Sequence, residues 1–217
     1  VQIPAGVTQI EDYAFANCSA LPAITLPVGV TEIEEGVFLN CSSLRSVTLP
    51  QGMQKVGDGA FANCTSLPSI TLPLGLREIE KGAFSGCTSL ASVSFPAASL
   101  TDIDEGAFYG CTALKAATLP LGLREIDKNA FWGCTSLTNV SIPASVTEIK
   151  SGAFGGCTGL RSVTVGWTVP PMPRHPIFPS VPVANVQLNV PRGTESTYRS
   201  MPVWNEFLKI GTVANAE

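Results

Sequence analysis

Seven cysteines, Cys18, Cys41, Cys64, Cys87, Cys111, Cys134 and Cys157, are separated by 23, 23, 23, 24, 23 and 23 residues, and the rest of the chain has none. Disulfide frameworks and metal clusters place their sulfurs by irregular local geometry, so spacing this even marks one structural unit copied along the chain. The expectation is a solenoid.

Aligning on cysteine brings other residues into column. Phe15, Phe38, Phe61, Phe84, Phe108, Phe131 and Phe154 stand three before it, and Leu21, Leu44, Leu67, Leu90, Leu114, Leu137 and Leu160 three after. An apolar, hydroxyl, apolar triplet and a proline follow, as in Ile24-Thr25-Leu26-Pro27 and Val140-Ser141-Ile142-Pro143. Alternation of this kind predicts a short half-buried strand, and proline, lacking the N–H a ladder needs, ends it. A second apolar pair, such as Val30 and Ile33 or Leu123 and Ile126, predicts a shorter extended segment flanked by charges. The residue before each cysteine is always Asn or Gly, as at Asn17, Asn63 and Gly86, which predicts left-handed backbone closing a single helical turn. No copy can close a core alone, so stability must come from stacking, with strands about 4.8 Å apart in a parallel ladder. The 24-residue gap fits an extra residue in the turn at Pro96-Ala97-Ala98-Ser99.

The pattern Ala-Phe-x-Gly/Asn-Cys-Ser/Thr-x-Leu before a Val-Thr-Leu-Pro strand resembles the BspA-type leucine-rich repeat of bacterial and protist surface proteins. It runs over residues 1–165 in about seven copies. The resemblance implies a leucine-rich-repeat solenoid, a place outside a bacterial cell, and adhesion to host extracellular-matrix proteins such as fibronectin. The segment LPLGLREI recurs whole at Leu72–Ile79 and Leu119–Ile126, two copies apart, which suggests duplication of a repeat pair.

From Gly166 the pattern gives way to Val169-Pro170-Pro171-Met172-Pro173-Arg174-His175-Pro176, too rich in fixed φ angles to continue the solenoid and read as an extended connector. Val186–Pro191 recovers a strand without the phenylalanine and cysteine columns before it, as a degenerate last repeat. Thr194–Ile210 is expected to be mostly helical, broken near Pro202, with Tyr198, Trp204, Phe207 and Ile210 covering the open end of the stack. Residues 166–217 therefore read as connector and C-terminal cap. Val1-Gln2-Ile3-Pro4 is already a repeat strand, so the chain reads as a mature or shortened form of something longer, with any membrane anchor outside it.

A net charge of −4 argues against a nucleic-acid backbone as partner. No cofactor motif is present, and no enzymatic role is expected. His175 is the single histidine and has no second imidazole or cysteine near it in sequence. Serines and threonines sit at fixed repeat positions without the context of an activated nucleophile. The cysteines have two readings: small buried hydrophobes with free thiols, or disulfides between neighbouring copies, which a strand spacing would permit. Paired carboxylates such as Glu78 and Glu80 or Asp102 and Asp104 form an acidic strip, read as a solvated face with its own lysines and arginines or as calcium ligands.

Candidate binding residues lie on the outside. The outward positions Thr25, Thr48, Thr71, Ser94, Thr118, Ser141 and Thr164 form a hydroxyl ladder flanked by Arg45, Lys115 and Arg161. Tyr109 and Trp132, in consecutive copies, are expected to stack as an exposed pair that grips a partner protein or a sugar ring, or else to shield the core. The functional expectation is a non-enzymatic interaction module for protein or matrix, with a glycan as the other partner. The alternative is a spacer holding another domain of a longer surface protein away from the membrane.

Overall fold

The computed structural model describes residues 2–97 and 99–213, and its architecture is a parallel β solenoid. Two ladders run its length. The main one contains the strands Ala23–Thr25, Ser46–Thr48, Ser69–Thr71, Ser92–Ser94, Ala116–Thr118, Asn139–Ile142, Ser162–Val165, Gln187–Pro191 and Lys209–Val213. A six-stranded second ladder joins the two-residue strands from Glu32–Ile33 to Glu148–Ile149 without interruption. Both are parallel and in register wherever neighbouring coils pair, for example Thr25 opposite Thr48 and Glu125 opposite Glu148.

The core lies between the ladders and is made of columns. Phenylalanine rings from Phe15 to Phe154 stack with centroids 5.1–5.5 Å apart and interplanar angles of 15° or less. Each ring from Phe38 to Phe154 is fully buried, worth roughly 1.5–3 kcal/mol of hydrophobic stabilisation. Leu44, Leu67, Leu90, Leu114 and Leu137 form a second buried column. The cysteines are free, and all but Cys18 are buried. Each buried thiol from Cys41 to Cys157 donates to the phenylalanine carbonyl of the preceding coil, as Cys87 Sγ does to Phe61 O at 3.1 Å. That carbonyl already accepts the Cys64 N–H within its own coil, so both lone pairs are used.

The expected helical turn in each coil is not there. Residues 36 and 40 both have positive φ, as do their equivalents, and two left-handed residues within five break any helix. The segment instead forms tight turns, with Cys41 N–H to Phe38 O, and its alternate N–H groups cross to the next coil, as Phe38 N–H does to Ala60 O. Asparagine or glycine before each cysteine is indeed left-handed, with φ between 59° at Asn40 and 74° at Gly133. Asparagines there also bond along the stack, Asn63 Nδ2 to Asn40 Oδ1 at 3.0 Å. Gly86, with no side-chain amide, ends that run, and Asn63 Oδ1 takes the space beside it, 2.3 Å from where a Cβ would stand.

The main ladder is not continuous either. Strand Ser46–Thr48 pairs with Ala23–Thr25 but not with Ser69–Thr71 among the described residues, and a second break separates Ser92–Ser94 from Ala116–Thr118. At the start of a strand, Arg45 N–H donates to Pro22 O and Ala91 N–H to Pro68 O. Pro68 has no N–H to return to Arg45, which explains the first break. The second falls at the coil with the extra residue, whose Ala98 lies outside the described residues.

The C-terminal part differs most from expectation. The proline-rich segment does not leave the stack: Gly152, Phe154 and Gly156 donate to Pro176, Ile177 and Pro179, so it builds an eighth turn. Phe178 extends the phenylalanine column, 5.7 Å from Phe154, Val181 is buried where cysteine stood, and Ser180 takes the left-handed position at φ 63°. Thr194–Ile210 is only partly helical: an α-helix at Glu195–Ser200, a 3-10 turn at Trp204–Glu206, and then a strand in which Ile210 pairs with Leu188. Tyr198, Trp204 and Phe207 are buried at the end of the stack, while Ile210 is only half-buried.

Candidate interaction surface

The outward positions of the main ladder share one face. Thr25, Thr48, Thr71, Ser94 and Thr118 are exposed, whereas Ser141 and Thr164 are half-buried. Near the C-terminal end Asn189 Nδ2 reaches Ser162 Oγ at 3.0 Å and Thr164 Oγ1 at 3.3 Å, tying those hydroxyls in place. Arg45, Lys115 and Arg161 are exposed at the strand starts, and none of them makes an ion pair among the described residues. Lys209, which sequence reasoning did not single out, adds a cation to this face because the ninth strand sets it in register with Gln187.

What sequence reasoning also missed is an absence. From each cysteine to the end of its strand no Asp or Glu occurs, so the sheet face is cationic on a chain whose net charge is −4. The carboxylates gather on the second ladder. There Lys55 fills the gap left by Gly57 between Glu34 and Glu80, 3.6 Å from each. Lys150 ends the same column, bonding Asp127 Oδ2 at 2.7 Å. Between these two cations Asp104 has no such partner, and burial together with Asp127, Asp102, Glu80 and Asp58 pushes its carboxyl up to about 6. The strip thus carries its own cations, and among the described residues no cluster has the make-up of a metal centre. His175 lines a cleft of about 880 Å3 between the proline-rich turn and the second ladder, beside Glu148 and Lys150.

The cysteines do not form a chemical site. Burial pushes the thiols of Cys87 and Cys157 up to about 12, against the ordinary thiol range, so they are poor nucleophiles and poor metal ligands. Cys18, with no coil on its N-terminal side among the described residues, is the exposed one.

Tyr109 and Trp132 do not come together as an exposed stack. Tyr109 is 46% exposed, but Trp132 is half-buried and leans over the next coil, where a Cβ on Gly155 would lie 2.1 Å from its ring. Gly152, Gly155 and Gly156 leave a shelf without side chains, and the indole occupies it. Tyr13 does the same over Gly36.

A second feature of this surface lies at its proline edge. An apolar groove of about 770 Å3 runs from Phe95 and Ala97 to Pro191 and Val213, with Thr118, Ser141 and Thr164 on its sheet side. Leu121 on its rim is 75% exposed.

Stacked parallel coils with a leucine column and a flat strand face define a leucine-rich-repeat protein. The family described as BspA type leucine rich repeat region, in six copies, matches residues 1–114 and 60–174, and the chain belongs to it. Its fold is similar to that of the Treponema pallidum leucine rich repeat protein, at 33% identity over 83% of both chains with a TM-score of 0.68. A leucine-rich repeat protein from Bacteroides ovatus is 26% identical over 91% of this chain and 64% of its own, TM-score 0.52. The pneumococcal vaccine antigen PcpA shares the fold at 14% identity, TM-score 0.54. A search of curated proteins found no match. No helix among the described residues is long and apolar enough to cross a membrane.

Proposed function

We propose that this protein is a non-enzymatic interaction module that binds a protein partner on the main sheet face, from an extracellular or bacterial-surface position. Residues 1–165 supply the repeat platform, and 166–217 its closure. The observation that carries this reading is the face itself: a rigid array of short hydroxyl side chains, free of carboxylates and edged by Arg45, Lys115 and Arg161. Short side chains lose little rotamer entropy on binding, and a ladder held by stacked coils loses almost no backbone freedom. Membership of a leucine-rich-repeat family supports a protein-interaction or structural role. Extracellular-matrix proteins, fibronectin among them, are the first partners to test, and glycans the second.

The test is biolayer interferometry of the chain against immobilised matrix proteins and a glycan array, beside a Thr71→Glu/Ser94→Glu variant. Capture that falls at least tenfold in the variant, with Tm within a few degrees, is expected. Capture that the variant leaves unchanged would remove the sheet face from the reading. No capture at all would leave the spacer role in its place.

A further inference from the structure

The geometry points to a specific ligand class for the proline-edge groove: an extended peptide segment that alternates acidic and apolar side chains and lies along the rod. This deepens the sheet-face reading and rests on it. Three observations meet here. The groove is apolar, lined by Phe95, Pro120, Leu121, Pro143, Val165 and Val213, and its volume of about 770 Å3 is that of a ligand cleft. Its sheet side is the hydroxyl row Thr118, Ser141 and Thr164, able to donate to and accept from a peptide backbone.

The third observation is charge. Across the strands from the groove stand Lys115 and Arg161, three residues before Thr118 and Thr164 and so about 10 Å away at strand rise. They are two coils apart, again about 10 Å along the rod, with neither carrying an ion-pair partner among the described residues. Side chains of an extended peptide project alternately to its two edges. A segment lying on the hydroxyl row therefore turns one edge into the groove and the other toward the cations. Apolar residues suit the first edge and carboxylates the second, while a basic segment would meet like charge with nothing to neutralise it.

Fluorescence anisotropy with four labelled heptapeptides tests this on the whole chain: Glu-Leu-Glu-Phe-Glu-Leu-Glu, and versions with Gln for Glu, Lys for Glu, or Ser for Leu and Phe. The first is expected to bind, with each of the others at least tenfold weaker. Lys115→Ala/Arg161→Ala and Leu121→Glu should each weaken it at least tenfold, and Lys81→Ala, whose ammonium pairs with Glu105 away from the groove, by less than twofold. Equal binding of the Gln or Lys peptide, no binding of the first peptide, or indifference to Leu121→Glu would overturn the proposal. A random peptide library selected on the same protein separates it from the broader reading. Binders lost in Thr71→Glu/Ser94→Glu but kept in Leu121→Glu would preserve the sheet face and remove the groove; a library without binders would remove both.

Discussion

The interior coils and the C-terminal closure solve the same problem, a buried aromatic layer, in opposite ways. Inside the stack each phenylalanine shows one face to each neighbour, near-parallel, so every ring creates the site for the next. At the end, Trp204 and Phe207 meet Phe178 at 75° and 83°, edge to face. A stacked column can be extended indefinitely, whereas an edge-on contact presents no matching face and terminates it. The closure also carries stronger polar handles than the thiols of the interior: Tyr198 Oη donates to Trp167 O at 2.7 Å, and Trp167 Nε1 to Val146 O at 2.7 Å. Repetition lets identical residues satisfy one another. Ending the stack takes unlike residues that also bind loose carbonyls, which is the capping a solenoid requires.

The largest effects should come from deleting an aromatic on either side of that comparison. Trp204→Ala and Phe84→Ala are each expected to cost about 3–5 kcal/mol in urea denaturation, the range for large buried aromatics. Hydrogen exchange should separate them: Trp204→Ala opens the C-terminal coils first, and Phe84→Ala splits the rod in its middle. Identical exchange patterns would break the distinction between interior and end.

Next come the polar handles. Tyr198→Phe leaves Trp167 O without its donor, a loss of about 1–3 kcal/mol, while Cys87→Ala removes a weaker thiol donor and a sulfur's worth of packing, about 1–2 kcal/mol. A thiol count with an aromatic disulfide reagent sharpens this. Native protein should titrate Cys18 alone and denatured protein all seven cysteines, and fast reaction of a second thiol would contradict the buried column.

The smallest effect concerns Asp104. Its folded carboxyl titrates near 6, above the usual carboxylate value, so the ionised form destabilises the fold above pH 6. Stability from this group should rise as pH falls from 7 toward about 5, where the folded state takes up a proton that the unfolded state does not. Asp104→Asn should remove that dependence and raise stability at pH 7 by on the order of 1 kcal/mol, after discounting for its partial solvent exposure. A variant whose Tm still climbs by the same amount over that range would show that other groups set the slope.

Much of this was legible in the residues. The inward columns, the left-handed Asn and Gly positions, the strand-ending prolines and the hydroxyl row all follow from a period of 23, because each coil meets a near copy of itself. The eighth turn was harder to see, since Ile177-Phe178-Pro179-Ser180-Val181 keeps the backbone plan of Ala-Phe-x-Asn-Cys with only the phenylalanine unchanged. Trp132 was misplaced because its direction depends on Gly155, a residue of another coil.

The sequence by itself determined the coil: what faces inward, where the backbone turns left-handed, and that copies must stack, since those follow from short-range pattern and from the core no single copy can close. The tertiary structure decided everything that depends on which residue of the adjacent coil stands opposite. Pro68 breaking the main ladder, Lys55 filling the space at Gly57, the closing aromatics turned edge-on, and the apolar groove beside a carboxylate-free face are contacts between residues a coil or more apart, where the repeat constrains position but not partner.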